Sequence, residues 1–60
     1  MTPTNAIIEL KHRHGNVDVI NTSLFAVTEN RKRVLYRLFN ERLQRRVDID
    51  NHTCRWESIV

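Results

Sequence analysis

The 60-residue sequence predicts a mainly α fold with a small β-hairpin, arranged as three helices followed by a two-stranded wing. In segment 28–44, Val34, Leu35, Leu38 and Phe39 recur at the spacing of one apolar helical stripe. Segment 47–59 instead alternates apolar and polar residues on both sides of a turn at residues 50–52, which is typical of two paired strands. These two patterns predict a small core between a basic helix and a hairpin.

The predicted helix in segment 28–44 has favourable ends. Thr28 is a good N-cap, Glu29 suits the positive end of the helix dipole, and Arg45 and Arg46 suit the negative end. Residues 28–46 carry seven Lys or Arg and two Glu, a net charge of 7 − 2 = +5, whereas the whole chain has a formal charge of +3. The excess positive charge is therefore concentrated on and just after this helix.

The first third of the chain allows two interpretations. Thr4 or Asn5 can cap a short helix through residues 6–11 that ends at Gly15, and residues 16–26 have the spacing of a second short helix. Alternatively, residues 5–23 form a hairpin joined at residues 14–16, because both halves are rich in Ile and Val. We expect the two helices, with a tight turn at residues 26–28 before the third one.

Composition limits the classes of function. Cys54 is the only cysteine, which excludes an internal disulfide and fits a reducing compartment. The N-terminus lacks signal-peptide features, and no apolar run approaches the roughly 18 residues of a membrane span. We therefore expect one cytoplasmic domain over residues 1–60, with no membrane partner.

Neither a metal site nor an enzyme active site is predicted. His12, His14, His52 and Cys54 lack the usual zinc-ligand spacings, and no catalytic constellation or glycine-rich phosphate loop is present. We expect a protein that is not an enzyme, with no catalytic residue, cofactor, metal or small-molecule substrate.

Three helices and a hairpin, with a basic third helix, describe a winged helix-turn-helix. A recognition helix at about residues 28–43 would enter the major groove of double-stranded DNA, and a wing at about residues 44–59 would contact the backbone. The expected function is a sequence-specific DNA-binding protein, a small bacterial or phage transcription regulator or accessory factor, with a homodimer or a companion DNA-binding protein as further partner. The predicted DNA-binding residues are Thr28, Asn30, Arg31, Lys32, Arg33, Tyr36, Arg37, Arg45 and Arg46.

Several short segments carry a family resemblance. Residues 26–28, residues 33–36 with Leu38, residues 43–46 and Trp56 resemble the winged helix-turn-helix of small bacterial fimbrial phase-variation regulators. Residues 33–56 also resemble, more distantly, the Z-DNA-binding winged-helix domain of RNA-editing deaminases. That resemblance implies DNA contacts by Tyr36 and Trp56. Lys32 stands where that family has its contact asparagine, and the wing prolines are missing, so a regulator of B-DNA is the favoured interpretation.

The aromatic residues are assigned mainly to the core. Phe25, Phe39 and Trp56 are expected to be buried because so short a chain needs their apolar area, while Tyr36 suits either the core or the basic face. Leu38 is expected in the same core, so replacing it with Ala should cost about 2 to 5 kcal/mol.

A second functional class remains open from the sequence. The basic helix also suits a small inhibitor or adaptor with a ββαββ-like fold that docks on an acidic protein.

Overall fold

The computed structural model describes residues 1–60 and has a mainly β fold, about 20% helix and 50% strand. Its elements in chain order are α1 (Pro3–His14), β1 (Asp18–Asn21), β2 (Leu24–Glu29), β3 (Lys32–Phe39), β4 (Arg42–Asp48) and β5 (Cys54–Ser58). The five strands form one antiparallel sheet in the order β1-β2-β3-β4-β5. The predicted fold of three helices and a wing is therefore wrong, and so is the ββαββ alternative.

Helix α1 confirms the predicted first helix and its end. Gly15 adopts the left-handed conformation with φ 76°, and its N–H donates to the Lys11 carbonyl at 2.8 Å. The start lies earlier than predicted, because the Thr2 hydroxyl accepts from the Asn5 N–H at 3.2 Å and Pro3 occupies the first turn. Since residues 5–14 are helical, the hairpin interpretation of residues 5–23 is wrong.

The predicted second helix, residues 16–26, is also wrong, because these residues lie mostly in β1 and β2. Asn16 does not cap a helix. Its side-chain amide pairs with the backbone of Thr28, accepting from the N–H at 2.8 Å and donating to the carbonyl at 3.2 Å. This side chain thereby takes the place of a strand partner at the end of β2.

The predicted recognition helix is a run of strands and turns. Two-residue turns at Asn30-Arg31 and Asn40-Glu41 connect β2 to β3 and β3 to β4, and φ is positive at all four residues, between 51° and 64°. Positive φ at both positions is typical of the type I′ turn, whose twist matches that of antiparallel strands. Thr28 lies inside β2 and caps nothing.

The hairpin predicted for the C-terminal segment is confirmed. Val47 lies opposite Arg55 and Asp48 opposite Cys54 in the β4–β5 pair. The turn is held by the Asp50 carboxylate, whose Oδ1 accepts from the N–H groups of His52 and Thr53, each at 2.8 Å. This hairpin is not a separate wing, because β4 also pairs with β3 and so belongs to the main sheet.

The core lies between α1 and one face of the sheet, here called the helix face. The buried residues of this core cluster are Ala6, Leu10, Phe25, Val27, Tyr36 and Leu43. Strand alternation places Val34, Tyr36 and Leu38 of β3 on the helix face and the residues between them on the other side. The N-terminal ammonium donates to the Glu41 carbonyl at 2.9 Å and adds a tie between the α1 end of the chain and the β3–β4 turn.

Strands β3 and β4 are paired along only part of their length. Their ladder runs from Phe39 opposite Arg42 to Tyr36 opposite Arg45 and stops there. Beyond that point residues 32–35 pair with β2 alone, and residues 46–48 pair with β5 alone. The two strands therefore diverge and leave a gap, which we call the fork.

Candidate nucleic-acid interface

The second face of the sheet, here called the open face, has no helix packed on it and is rich in arginine. Four arginines lie on it: Arg33 and Arg37 from β3, and Arg42 and Arg46 from β4. Strand alternation places Leu35, Phe39 and Trp56 on the same face. Basic and aromatic side chains therefore share the surface that α1 leaves uncovered.

Arg37 is at the centre of this face and stacks on two aromatic rings. Its Cζ lies 4.5 Å from the centroid of the Phe39 ring and 4.4 Å from that of Trp56. The Arg37 Nε donates to the Gln44 Oε1 at 2.8 Å, and the Gln44 Nε2 donates to the Ser58 Oγ at 3.3 Å. The guanidinium is thus held in place by stacking and by a hydrogen-bond chain across β4 to β5.

The rings themselves remain partly accessible. Phe39 is 49% exposed and Trp56 is half-buried. An aromatic ring held on a sheet by an arginine is a platform on which a planar group can stack.

The other arginines of the open face are weakly held. Arg33 pairs with Asp18 at 2.8 Å and Arg46 with Asp48 at 3.4 Å, and all four side chains are well exposed, while exposed Arg42 makes no ion pair. Exposed ion pairs contribute only about 0 to 1 kcal/mol. Four arginines and these two aspartates give the open face a net charge of 4 − 2 = +2. The guanidinium groups of Arg33, Arg42 and Arg46 are therefore available to an anionic ligand.

The predicted DNA-binding residues do not form one surface. Arg33, Arg37 and Arg46 lie on the open face together with exposed Thr28. The remaining predicted residues are placed elsewhere: Asn30 and Arg31 in the β2–β3 turn, and Lys32, Tyr36 and Arg45 on the helix face.

Tyr36 and Trp56, which the Z-DNA resemblance implied as joint contacts, lie on opposite faces of the sheet. Tyr36 is 2% exposed and belongs to the core, so its assignment to an outward basic face is corrected. Conversely, Phe39 and Trp56 were expected in the core, whereas they lie on the open face; only Phe25 is buried as expected.

Beneath the sheet, Tyr36 belongs to a polar network with His14, Glu29 and Arg45. The Tyr36 hydroxyl lies 3.0 Å from the His14 Nε2, the His14 Nδ1 lies 3.9 Å from the Glu29 Oε2, and the Glu29 Oε1 accepts from Arg45 at 3.3 Å. Burial raises the pKa of the Tyr36 hydroxyl above 10.0, and Arg45 opposes that shift. A hydroxyl, an imidazole and a carboxylate in series resemble an activated nucleophile, but burial and a raised pKa both oppose formation of a phenolate here. The network's evident role is to join the end of α1 to the sheet.

The side chains weighed as zinc ligands are dispersed. His14 is engaged with Tyr36, and Cys54 is an exposed free thiol on β5. No group of three or more His, Cys, Asp and Glu side chains is arranged to hold a metal ion.

The open-face residues absent from the predicted DNA-binding set are Phe39, Arg42, Gln44 and Trp56, and of these only Trp56 was implied, by the Z-DNA resemblance. A signal for Phe39 was present. Arg33, Arg37 and Phe39 occupy odd positions of one segment, as strand alternation requires, while Val34, Tyr36 and Leu38 occupy even ones. The contribution of Trp56 depends on strand register, which no local pattern specifies.

Comparison of the chain with protein-family models, with curated proteins and with solved structures gave no significant match. The one helix, α1, is 12 residues long, and no helix is long and apolar enough to cross a membrane.

Proposed function

We propose that this protein binds single-stranded nucleic acid across the open face of its sheet. The observation that carries the proposal is the stack of Phe39, Arg37 and Trp56, flanked by three further arginines. Proteins that hold single strands combine a basic surface for the phosphates with aromatic side chains on which bases stack. The open face offers both groups on a rigid sheet.

The single strand is favoured over a duplex for a geometric reason. The major-groove hypothesis depended on a recognition helix at residues 28–43, and these residues are strands. Exposed rings lying on a sheet suit unpaired bases, whose faces are free, better than bases already stacked in a duplex. An exposed lone thiol, Cys54, fits a reducing compartment, so we place this activity in the cytoplasm.

The test uses Trp56, which is the only tryptophan of the chain, as an intrinsic probe. An oligonucleotide of twelve thymidines, the matching oligouridine RNA and a duplex of mixed sequence would each be titrated into the protein at near-physiological salt. We expect the single strands to quench Trp56 fluorescence, because stacking of a base on the indole does so, and to bind more tightly than the duplex.

Variants of the open face make the test specific. Phe39→Ala should weaken single-strand binding by about 1 to 3 kcal/mol, the contribution of one stacked base. Arg42→Ala removes a charge from the same face, and Arg55→Ala is the control because Arg55 is also exposed but lies on the helix face, paired with Glu57 at 2.6 Å. We expect Arg42→Ala, and not Arg55→Ala, to weaken binding.

Equal losses in Arg42→Ala and Arg55→Ala would contradict the proposal, because they would reduce the binding to unspecific attraction between a basic protein and a polyanion. Tighter binding to the duplex than to either single strand would contradict the single-strand preference.

A second candidate function is docking on an acidic protein surface, and the identity of the open-face residues favours it. Arginine and tryptophan are the residue types enriched among the energetically important residues of protein interfaces. In that case Trp56 would respond to the acidic partner and none of the three oligonucleotides would bind.

A further inference from the structure

The fork between β3 and β4 is a second concave feature, separate from the aromatic stack. It is lined by four residues from each strand: Lys32, Arg33, Val34 and Leu35 of β3, and Arg45, Arg46, Val47 and Asp48 of β4. No strand pair crosses it beyond Tyr36 opposite Arg45. The backbone groups that point into the fork therefore have no strand partner from the opposite side.

We propose that the fork binds an extended, acidic segment of a partner protein, which pairs with the free edges of β3 and β4. This mode of recognition, addition of a strand to exposed sheet edges, obtains affinity from main-chain hydrogen bonds and specificity from alternate side chains. Because β3 and β4 run in opposite directions, the added strand would be antiparallel to one and parallel to the other.

The size of the fork is close to that of one strand. Its volume is about 510 Å³. Four strand residues span about 13 Å, which gives the fork a mean cross-section of about 40 Å², and a strand within a packed sheet occupies about 4.8 Å by 10 Å. The fork is therefore slightly narrower than one strand of a packed sheet, and a segment of about four residues would widen it slightly on entering.

The charges at the fork select an acidic segment. Four cationic side chains line it against one carboxylate, that of Asp48. Lys32 makes no ion pair, and the ion pairs of Arg33 and Arg46 are exposed, while Arg45 is engaged with Glu29. The fork therefore has cations available for carboxylates of the ligand.

The apolar lining adds a second requirement. Val34 and Val47 both point to the helix face, one on each side of the fork. Since side chains of a strand alternate between the two faces, the ligand should place an aliphatic residue between these valines and an acidic residue at the positions beside it. A segment that alternates Asp and Val has this pattern.

The test is a titration of the ¹⁵N-labelled protein with a capped six-residue peptide of alternating Asp and Val, with an alternating Lys and Val peptide as the comparison. In the free protein, amides of residues 32–35 and 46–48 that point into the fork should exchange with solvent rapidly. With the acidic peptide at saturation we expect their exchange to slow about tenfold or more, and cross-peaks between peptide amides and the backbone of Val34 or Val47 to appear.

A matched pair of variants completes the design. Lys32→Glu reverses a charge at the fork, and Lys11→Glu makes the same change on the exposed side of α1, where Lys11 has no ion pair. Lys32 shares the helix face with the valines, so its charge acts across the fork on the peptide carboxylates, which lie beside Arg33 and Arg46. Lys32→Glu should weaken the acidic peptide about tenfold or more, and Lys11→Glu should leave its affinity unchanged. Lys32 lies off the open face, so failure of this proposal is distinguishable from failure of the proposed nucleic-acid binding.

Three outcomes would overturn the proposal. The first is slow exchange of the fork amides in the free protein, which would mean that β3 and β4 pair throughout. The second is perturbation of amides along the outer edges of β1 or β5. The third is binding of the Lys and Val peptide as tight as that of the acidic one. Protection of the fork amides by oligothymidine and not by the acidic peptide would likewise exclude a peptide site and assign the fork to the nucleic acid.

Discussion

At the scale of single residues, Tyr36 combines contacts of several kinds. It packs in the core, its ring centroid lies 5.5 Å from that of His14, and its hydroxyl lies 3.0 Å from the His14 Nε2. These contacts hold the last turn of α1 against the middle of β3. Tyr36 has a buried ring and a hydrogen-bonded hydroxyl, so neither the predicted core location nor the predicted surface location describes it fully.

The pH dependence of stability follows from the raised pKa of Tyr36, whose largest cause is burial. The folded state favours the neutral phenol, so this contribution is complete below the ordinary pKa of 10.0 and is lost as the pH rises through the folded value. We expect absorbance at 295 nm, which reports Tyr36 alone because it is the only tyrosine, to titrate above pH 10. Tyr36→Phe should melt with a shallower dependence on alkaline pH; an unchanged slope would contradict the assignment.

Buried leucines differ in their expected energetic weight. Leu43 is completely buried, while Leu38 is only partly buried beside the core. Leu43→Ala should therefore lower the free energy of unfolding by about 2 to 5 kcal/mol. Leu38→Ala should lower it by less, although the sequence predicts this same range for Leu38. Urea unfolding of both variants, followed by circular dichroism, measures the difference. A larger loss in Leu38→Ala would contradict this order.

At the scale of elements, the two type I′ turns are the positions where the local sequence fits its conformation least well. Arg31 and Glu41, the second residues of these turns, both have φ of 64°. A side chain in the left-handed region costs about 1 to 2 kcal/mol, which glycine avoids.

We expect Glu41→Gly and Arg31→Gly each to raise the free energy of unfolding by up to about 1 kcal/mol. Glu41→Ala is the control, because it removes the same side chain while keeping the Cβ atom, and it should bring no gain. Thermal melts of the three variants would decide; stabilisation by Ala equal to that by Gly would locate the effect in the glutamate charge.

The same turns explain which elements the sequence could predict. Helix α1 and the β4–β5 hairpin have explicit signals, Gly15 for the helix end and Asp50 for the turn, and both exist. The turns at Asn30 and Asn40 lack the usual following glycine, so the sequence has no clear turn signal between β2, β3 and β4.

Without a glycine to mark those turns, the apolar residues of β3 fitted both the helical period and the strand period. Val34, Leu35, Leu38 and Phe39 fit one helical stripe, yet Leu35 and Phe39 belong to the open face and Val34 and Leu38 to the helix face. The same misreading placed Phe39 in the core and Tyr36 among the outward residues. Register across β3, β4 and β5, which brings Arg37 to Trp56, is a long-range property that the pattern does not contain.

At the scale of the whole molecule, the two sheet faces divide stability and recognition. One face supplies the core with α1, and the other presents four arginines with two rings. Changes on the open face should therefore alter binding with little effect on folding.

Salt dependence measures how many of those arginines contact phosphates. For a single strand, log K should fall with log salt by about 0.7 for each phosphate neutralised, so three arginines give a slope near −2. Arg42→Ala should reduce the steepness by about 0.7, and Arg55→Ala should leave it unchanged. A slope near zero in the parent protein would show that the arginines do not contact phosphates.

The order β1-β2-β3-β4-β5 also determines how the chain reaches its folded state. Every strand pairs with its neighbour in sequence, and three of the connections are two residues long. The mean sequence separation of paired residues is consequently small, and low contact order favours rapid folding. A single hairpin closes in about 1 to 10 μs, so the sheet can grow by successive closure of adjacent hairpins.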